Sequence, residues 1–356
     1  MSQILEIDGS HGEGGGQVLR SALALSLATG RSFRLTQIRA RRPKPGLMRQ
    51  HLACVQAAQQ VSSATVQGAE LGATTLEFHP GEVRGGEYVV EIGTAGSTVL
   101  VAQSLLPAFV AKGVEVRLAI HGGTHNPMAP PFSAFEHVVV PLVRRLGVSM
   151  TTRLLRPGFA PMGGGALEVT VGPVQEAEPL VLEARGALRG VTIEVLTVAL
   201  PDLVATRELA VVKARLAKVL GAEVPIEERH LSPTKNHWRT SSVGNAIAVL
   251  FHFEGHTEEV SMLGERKLSA ERVAARVADK AEAFLAHGQP VGEHLQDQLP
   301  ILLAVTCGGR YQTMAPTPHL SSQLELLPRF TGRPIRVTPT TMGDGARVEV
   351  DPIRSR

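Results

Sequence analysis

The sequence predicts an α/β protein: three βαβαββ repeats form a large domain, and a smaller α/β domain is inserted into it. Three observations support this. A glycine-rich turn leading into an apolar helix occurs twice, as GEGGGQVLRSALALSLATG at 12–30 and GTAGSTVLVAQSLLPAFVAKG at 93–113. Each copy sits in the same run of strand and helix patterns. A third copy closes the chain, but its opening strand is not contiguous with it, and 184–289 carries extra α/β pattern in between.

The elements follow in order. In the first unit, ILEIDG is a strand, the helix after GEGGGQ comes next, then strand FRLTQIR, a second helix, and strands TVQGAEL and TLEFHP. The second unit repeats the order with YVVEIG, the helix after GTAGS, VEVRLAI, another helical pattern, VSMTTRLLR and ALEVTVG. The third has a helix around Leu295 to Val305, strand RYQTMAP, a helix around Ser321 to Phe330, and strands PIRVTPT and ARVEV. The extra segment reads as strand VTIEVLTVAL, a helix from Asp202 to Leu220, EERHL, AIAVLFHFEG and a helix from Ala270 to Ala286. In that last helix Val273, Val277, Ala281 and Phe284 fall at helical spacing and read as a packed stripe. The domain boundaries expected are therefore 1–183 with 290–356 for the large domain and 184–289 for the insert.

Composition narrows the function. Hydrophobic residues make up 43% and charged residues 19% of 356, which is a globular mixture and excludes a disordered chain. No apolar run is long enough to span a bilayer, and Asp8 and Glu13 interrupt the start, so a soluble, cytoplasmic protein with no membrane partner is expected. Cys54 and Cys307 lie far apart, which specifies neither a disulfide framework nor a thiolate metal site. One Trp and two Tyr are too few to build a long stacking groove for single-stranded nucleic acid. The net charge of +3 is small, yet Arg31, Arg34, Arg39, Arg41, Arg42, Lys44 and Arg49 cluster, which suits phosphate contacts at a strand end.

Several motifs can carry chemistry. GEGGGQ opens a helix after a strand, where backbone amides and the helix dipole can receive an anion; taken alone it is equally a tight glycine turn. In IRARRPKPGLMRQH, Pro43 and Pro45 stiffen a loop bearing Arg39, Arg42 and Arg49, which otherwise form a solvated basic face. HGGTHNPMAPPFSAF holds His121 and His125 four apart, but glycine and proline forbid the helix that would make them a zinc pair. A rigid loop facing a ligand fits better, with Pro131 and either Phe132 or Phe135 beside a base. Asp297 stands at a helix start, and His319, after Pro318, precedes the last helix; a neutral imidazole there is a competent nucleophile near pH 7.

Taken in order, DGSHGEGGGQVLRSALALS, IRARRPKPGLMRQHL, GTAGSTVLVAQSLLPA, HGGTHNPMAPP, RPGFAPMGGG and HLQDQLPILLA followed by TPHLSSQ resemble the RNA 3'-terminal phosphate cyclase family over almost the whole chain. The resemblance implies repeats similar to the C-terminal fold of a translation initiation factor. It implies use of ATP with Mg²⁺ or Mn²⁺ and a covalent histidine-AMP on His319. AMP then passes to an RNA 3'-phosphate, and the 2'-hydroxyl displaces it to leave a 2',3'-cyclic phosphate. Arg20, Arg39, Arg42 and Gln50 match the family's phosphate-binding positions; Gln103, Pro131, Phe135, His294, Asp297 and Gln298 match the nucleotide pocket. Glu13 matches a position near the metal. His125 and His294 stand where many members have Asp and Tyr. Some relatives lack the histidine and serve ribosome assembly, so the alternative is a non-catalytic RNA-binding factor; His319 favours the enzyme.

Overall fold

A computed structural model describes residues 4–12, 14–340 and 344–353. The first sheet joins β1 (Leu5–Asp8), β2 (Phe33–Thr36), β3 (Thr65–Gln67) and β4 (Leu76–His79) in the order β1-β2-β4-β3, with helices α1 (Gln17–Thr29) and α2 (Arg49–Ser62) between its strands. The second, from β5 (Gly86–Glu91), β6 (Val116–Gly122), β7 (Val148–Arg156) and β8 (Gly165–Val174), has the order β5-β6-β8-β7. Its helices are α3 (Thr98–Lys112), then α4 (Phe132–Ala134) and α5 (Val140–Arg145), linked by a π-helical stretch at Phe135–Val139.

The short strand β9 (Leu180–Leu182) precedes the extra segment and finds its partner only after it. That segment is a sheet in the order β11-β10-β12-β13, from β10 (Leu188–Val198), β11 (Ile226–Leu231), β12 (Gly244–Phe253) and β13 (Thr257–Leu263), with α6 (Asp202–Leu220), α7 (Pro233–Asn236) and α8 (Ala270–His287). The chain then runs through α9 (Leu299–Val305), β14 (Gly309–Thr313), α10 (Pro318–Thr331), β15 (Ile335–Pro339) and β16 (Ala346–Val350). The last sheet has the order β9-β14-β16-β15. In three sheets the first pair is parallel, β1 with β2, β5 with β6 and β9 with β14, and the other pairs are antiparallel. A parallel pair needs a long crossover, which a helix supplies in the first two and the whole 183–308 stretch in the third.

Strand runs such as FRLT alternate buried and half-exposed side chains, as a sheet with one covered face requires. Helix α1 is buried along almost its whole length, with Leu19, Leu23 and Leu27 at 1% exposure or less, so it lies among helices and not on the surface. It packs against α2, α3, α9 and α10. One hydrophobic core runs from Ile7 to Val171 and resumes at Leu180, Leu182 and Val291 onward; a second, from Val191 to Phe284, includes Val273, Val277, Ala281 and Phe284. A small third cluster sets Phe159 against Leu196, Val198 and Ala246.

Some expectations shift. TVQGAEL forms a strand only over Thr65–Gln67, because Gly68 turns with φ +79° tightly against the Thr75 carbonyl. The helix expected from Leu295 starts at Leu299, and β13 is an additional strand. Among the described residues no helix is long and apolar enough to cross a membrane.

Candidate active site

The glycine turn is built for close approach. Asp8 Oδ1 accepts from the Ser10 amide at 2.8 Å and starts the turn. A Cβ on Gly12, at φ +59°, would overlap the Ser322 hydroxyl of α10, and one on Gly14 would press on the Arg41 side chain. Arg41 Nη1 donates to the Gly12 carbonyl at 3.0 Å. A Cβ on Gly16 would overlap His51 Nε2 and stand 2.9 Å from Arg20 Nη1. Glycine is thus required because α2, α10 and two arginines close on the backbone, and Gly16 caps α1 with no side-chain bond of its own.

Arg20 lies one turn into α1 and is half-buried. Burial lowers its pKa, while Cys54 and Asp297 act the other way; a guanidinium stays charged regardless. Asp297 Oδ2 accepts from Gln17 Nε2 at 3.3 Å. Burial pushes Asp297 up to about 7, against its own backbone amide, Arg20 and Gln17. His51, buried, is pushed down to about 3 by desolvation and then by Arg20 and Arg39. Its Nδ1 accepts from the Met48 amide at 3.3 Å, which places the proton of the neutral ring on Nε2.

His319 is the second residue of α10, whose cap is Thr317: the threonine Oγ1 accepts from the Leu320 amide at 3.0 Å. The imidazole is half-buried, and its pKa is lowered by burial first, then by Arg20, Arg42 and His294, with Glu293 opposing. The positive end of the helix acts in the same direction. One turn further, Gln323 Nε2 donates to Ser21 Oγ at 2.8 Å, which ties the face of α10 bearing His319 to the residue next to Arg20. Arg20, Arg42 and His294 thus act electrostatically on His319, Arg20 acts on Asp297, and the glycine turn rests against α10 and Arg20, although all come from distant parts of the chain.

The amide-bearing candidates hold loops. Gln103 Nε2 donates to Gln298 Oε1 at 2.5 Å, and Gln298 Nε2 to the His294 carbonyl at 2.6 Å. Gln50 Oε1 accepts from the Ser97 amide at 2.7 Å and so anchors the second glycine turn. Arg39, at φ +56°, uses Nη1 on the Lys44 and Gly46 carbonyls at 2.6 and 2.9 Å, bracing its own loop. Arg31 and Arg34 leave the basic cluster: Arg31 bonds the carbonyls of Arg329 and Phe330, and Arg34 pairs with Glu77 and Glu6.

Pro131 is half-exposed at the start of α4. Phe135 has no exposed surface and Phe132 only 4%, so both rings belong to the core and neither presents a face to a base. His125 is buried, stacked on Phe159 at 5.0 Å and bonded to Thr124 Oγ1 at 2.9 Å, while His121 pairs with Glu91 at 2.6 Å. Glu13 lies outside the described residues. Among the described residues no group of three His, Cys, Asp or Glu side chains is arranged to hold a metal ion. Sequence reasoning gave no role to Gln17, His51 or Gln296, although all three lie inside the quoted motifs.

The loop 157–163 is gripped by the extra segment. Ser242 Oγ accepts from the Phe159 amide at 2.7 Å, and Thr240 Oγ1 donates to the Pro157 carbonyl at 2.8 Å. The Gly158 carbonyl in turn accepts from the amides of Thr124 and His125, and the Thr124 carbonyl accepts from Phe132. Ser242→Ala is expected to leave the buried Phe159 amide without a partner and to lower unfolding free energy by about 1–3 kcal/mol. Urea denaturation checks this; an unchanged midpoint would mean the loop is held by other contacts.

The glycine turn, the arginines about it and a histidine at a helix start form a basic, anion-receptive site in an α/β protein. The sequence profile described as RNA 3'-terminal phosphate cyclase matches residues 11–337, and the chain belongs to that family. It is 44% identical over 334 residues, 94% of each chain, to a curated protein of Pseudomonas fluorescens named RNA 3'-terminal phosphate cyclase.

Proposed function

We propose that this protein converts an RNA 3'-terminal phosphate into a 2',3'-cyclic phosphate at the expense of ATP. The observation that carries the reading is the imidazole of His319 at the start of α10, its pKa lowered by burial, Arg20 and Arg42, so that it is neutral and nucleophilic at physiological pH. A neutral ring nitrogen attacks the α-phosphorus of ATP; an N–P bond forms and pyrophosphate leaves. An oxygen of the RNA 3'-phosphate then attacks the same phosphorus, and the imidazole departs. Finally the 2'-hydroxyl attacks the terminal phosphorus of the RNA, loses its proton, and AMP leaves.

The scheme solves a leaving-group problem, since a phosphate monoester has none until AMP is attached. The last step is intramolecular, where orientation is worth about 7–11 kcal/mol. In this reading Arg20, Arg39, Arg42 and Gln50 gather around phosphate, and Gln103, Pro131, His294, Asp297 and Gln298 around the nucleotide. Phe135 supports the pocket wall from inside the core. Mg²⁺ or Mn²⁺ is proposed to arrive with the ATP phosphates, in keeping with hard-cation chemistry. The shared strand order of three sheets supports three βαβαββ repeats over 1–183 and 290–356, and the separate core supports an inserted domain at 184–289.

The test is incubation with ATP labelled at the α-phosphate. Label that is acid-labile, base-stable and lost in His319→Ala supports the reading; absence of label overturns it. A pH dependence follows as well. Because His319 is held below the ordinary 6.5, its charge appears only at lower pH, and adenylylation should fall on the acid side below 6.5. Arg42→Gln removes a neighbouring charge, raises the imidazole pKa, and should move that limb to higher pH. A limb near 7 that survives Arg42→Gln and disappears in Asp297→Asn would belong to Asp297 instead.

A further inference from the structure

Between the end of β14 and His319 the chain has little means of holding itself. Pro316 and Pro318 carry no N–H, so of the residues 315–318 only Ala315 and Thr317 have amide donors. Gln296, with no exposed surface, fills that gap: its Nε2 donates to the Ala315 carbonyl at 3.2 Å and its Oε1 accepts from the Thr317 amide at 3.2 Å. One primary amide thus does what a neighbouring strand would do, and Thr317 is the residue that caps the helix bearing His319. Gln296 is itself pinned, since the buried Tyr311 hydroxyl donates to its carbonyl at 2.6 Å. Upstream, Val291 and β14 hold the same two segments together: the Val291 amide donates to the Gln312 carbonyl, and the Met314 amide and Thr313 Oγ1 donate to the Val291 carbonyl.

Gln296 also adjoins Asp297 and lies two residues from both His294 and Gln298. The segment that lines the nucleotide side and the segment that carries the imidazole therefore share one buried amide. We propose that Gln296 is a positioning residue that fixes the His319 imidazole relative to the α-phosphate of ATP. It touches no reacting atom and acts through the Ala315–Thr317 link. The inference rests on the adenylylation reading above, and it concerns only the first chemical step.

The experiment uses the full chain in single turnover with α-labelled ATP. In Gln296→Leu the saturating rate of His319 labelling should fall about tenfold, with the half-saturating ATP concentration within about threefold of wild type. The closing step, measured from RNA already carrying a 3'-adenylate, does not use His319 and should stay within about twofold. A general loosening of the fold would depress both steps together, and thermal melting of each variant shows whether it folds. Gln296→Glu supplies a second readout: a protonated carboxyl keeps both a donor and an acceptor, so its labelling rate relative to wild type at the same pH should rise as pH falls. A labelling loss below about fivefold in Gln296→Leu, or a loss shared equally by the closing step, overturns the inference. If the wild-type chain takes no label, the proposed function fails instead; if it labels and Gln296→Leu labels equally well, only the role of Gln296 fails.

Discussion

His319→Ala is expected to reduce transfer of AMP from ATP, and with it cyclisation of 3'-phosphate RNA, by at least on the order of 10⁴-fold. The size follows from the role proposed for it. Positioning residues tune a barrier, whereas removing a nucleophile deletes the covalent route, and no other described histidine has its pKa lowered by both Arg20 and Arg42. His51 is the nearest rival by type, but it is buried, with Nδ1 engaged by the Met48 amide. The folded state should hardly notice the change, because His319 is only half-buried and the cap of α10 is made by Thr317. Quench-flow with labelled ATP, alongside a melting curve, checks both halves. Residual labelling above a hundredth of the wild-type rate in a folded His319→Ala protein would sink the assignment.

Arg20→Met should produce the second largest loss. Its guanidinium rises from the first turn of α1 beside Gly16, at the positive end of a helix with no side-chain cap, and its planar fork suits a phosphate. Losing two charge-assisted hydrogen bonds of about 1.5–3 kcal/mol each amounts to about 3–6 kcal/mol, on the order of 10²–10⁴ in kcat/KM for 3'-phosphate RNA. Arg20→Lys should recover little, since an ammonium lacks the planar fork. The change should also move two titrations. Without Arg20 the Asp297 carboxyl loses a cation that holds it down, so its pKa rises further above about 7, and the His319 pKa rises toward the ordinary value. Steady-state kinetics on 3'-phosphate and 3'-hydroxyl ends, with the pH profile of labelling, separate these effects. Loss below tenfold with an unmoved profile would place the phosphate elsewhere.

The helices and strands were legible wherever periodicity was strong. α6 spans Asp202–Leu220 as its pattern predicts, and the stripe on α8 is buried as a stripe should be. Edges were less legible, because short strands such as β3 and β13 owe their pairing to a neighbour as much as to their own residues. The basic cluster shows the same divide. Seven cations fall within residues 31–49, yet Arg31 and Arg34 are tied up in the scaffold, Arg39 braces its own loop, and Arg41 bonds the glycine turn. Nothing in spacing distinguishes an arginine that meets a carbonyl from one that meets a ligand.

By itself the sequence determined most of the order of helices and strands, the glycine turns and the histidine after a proline, since these depend on local preference and on interactions a few residues apart. Tertiary structure alone decided which of them meet. Gly12 rests on Ser322, Gln17 on Asp297, Ser21 on Gln323 and Gln103 on Gln298, partners separated by long stretches of chain. It also decided that Phe135 serves the core, because burial is a property of the whole packing and leaves no local mark. The pKa of His319 belongs to the same class: a histidine has an ordinary value until desolvation and the charges of Arg20 and Arg42 are brought against it by folding.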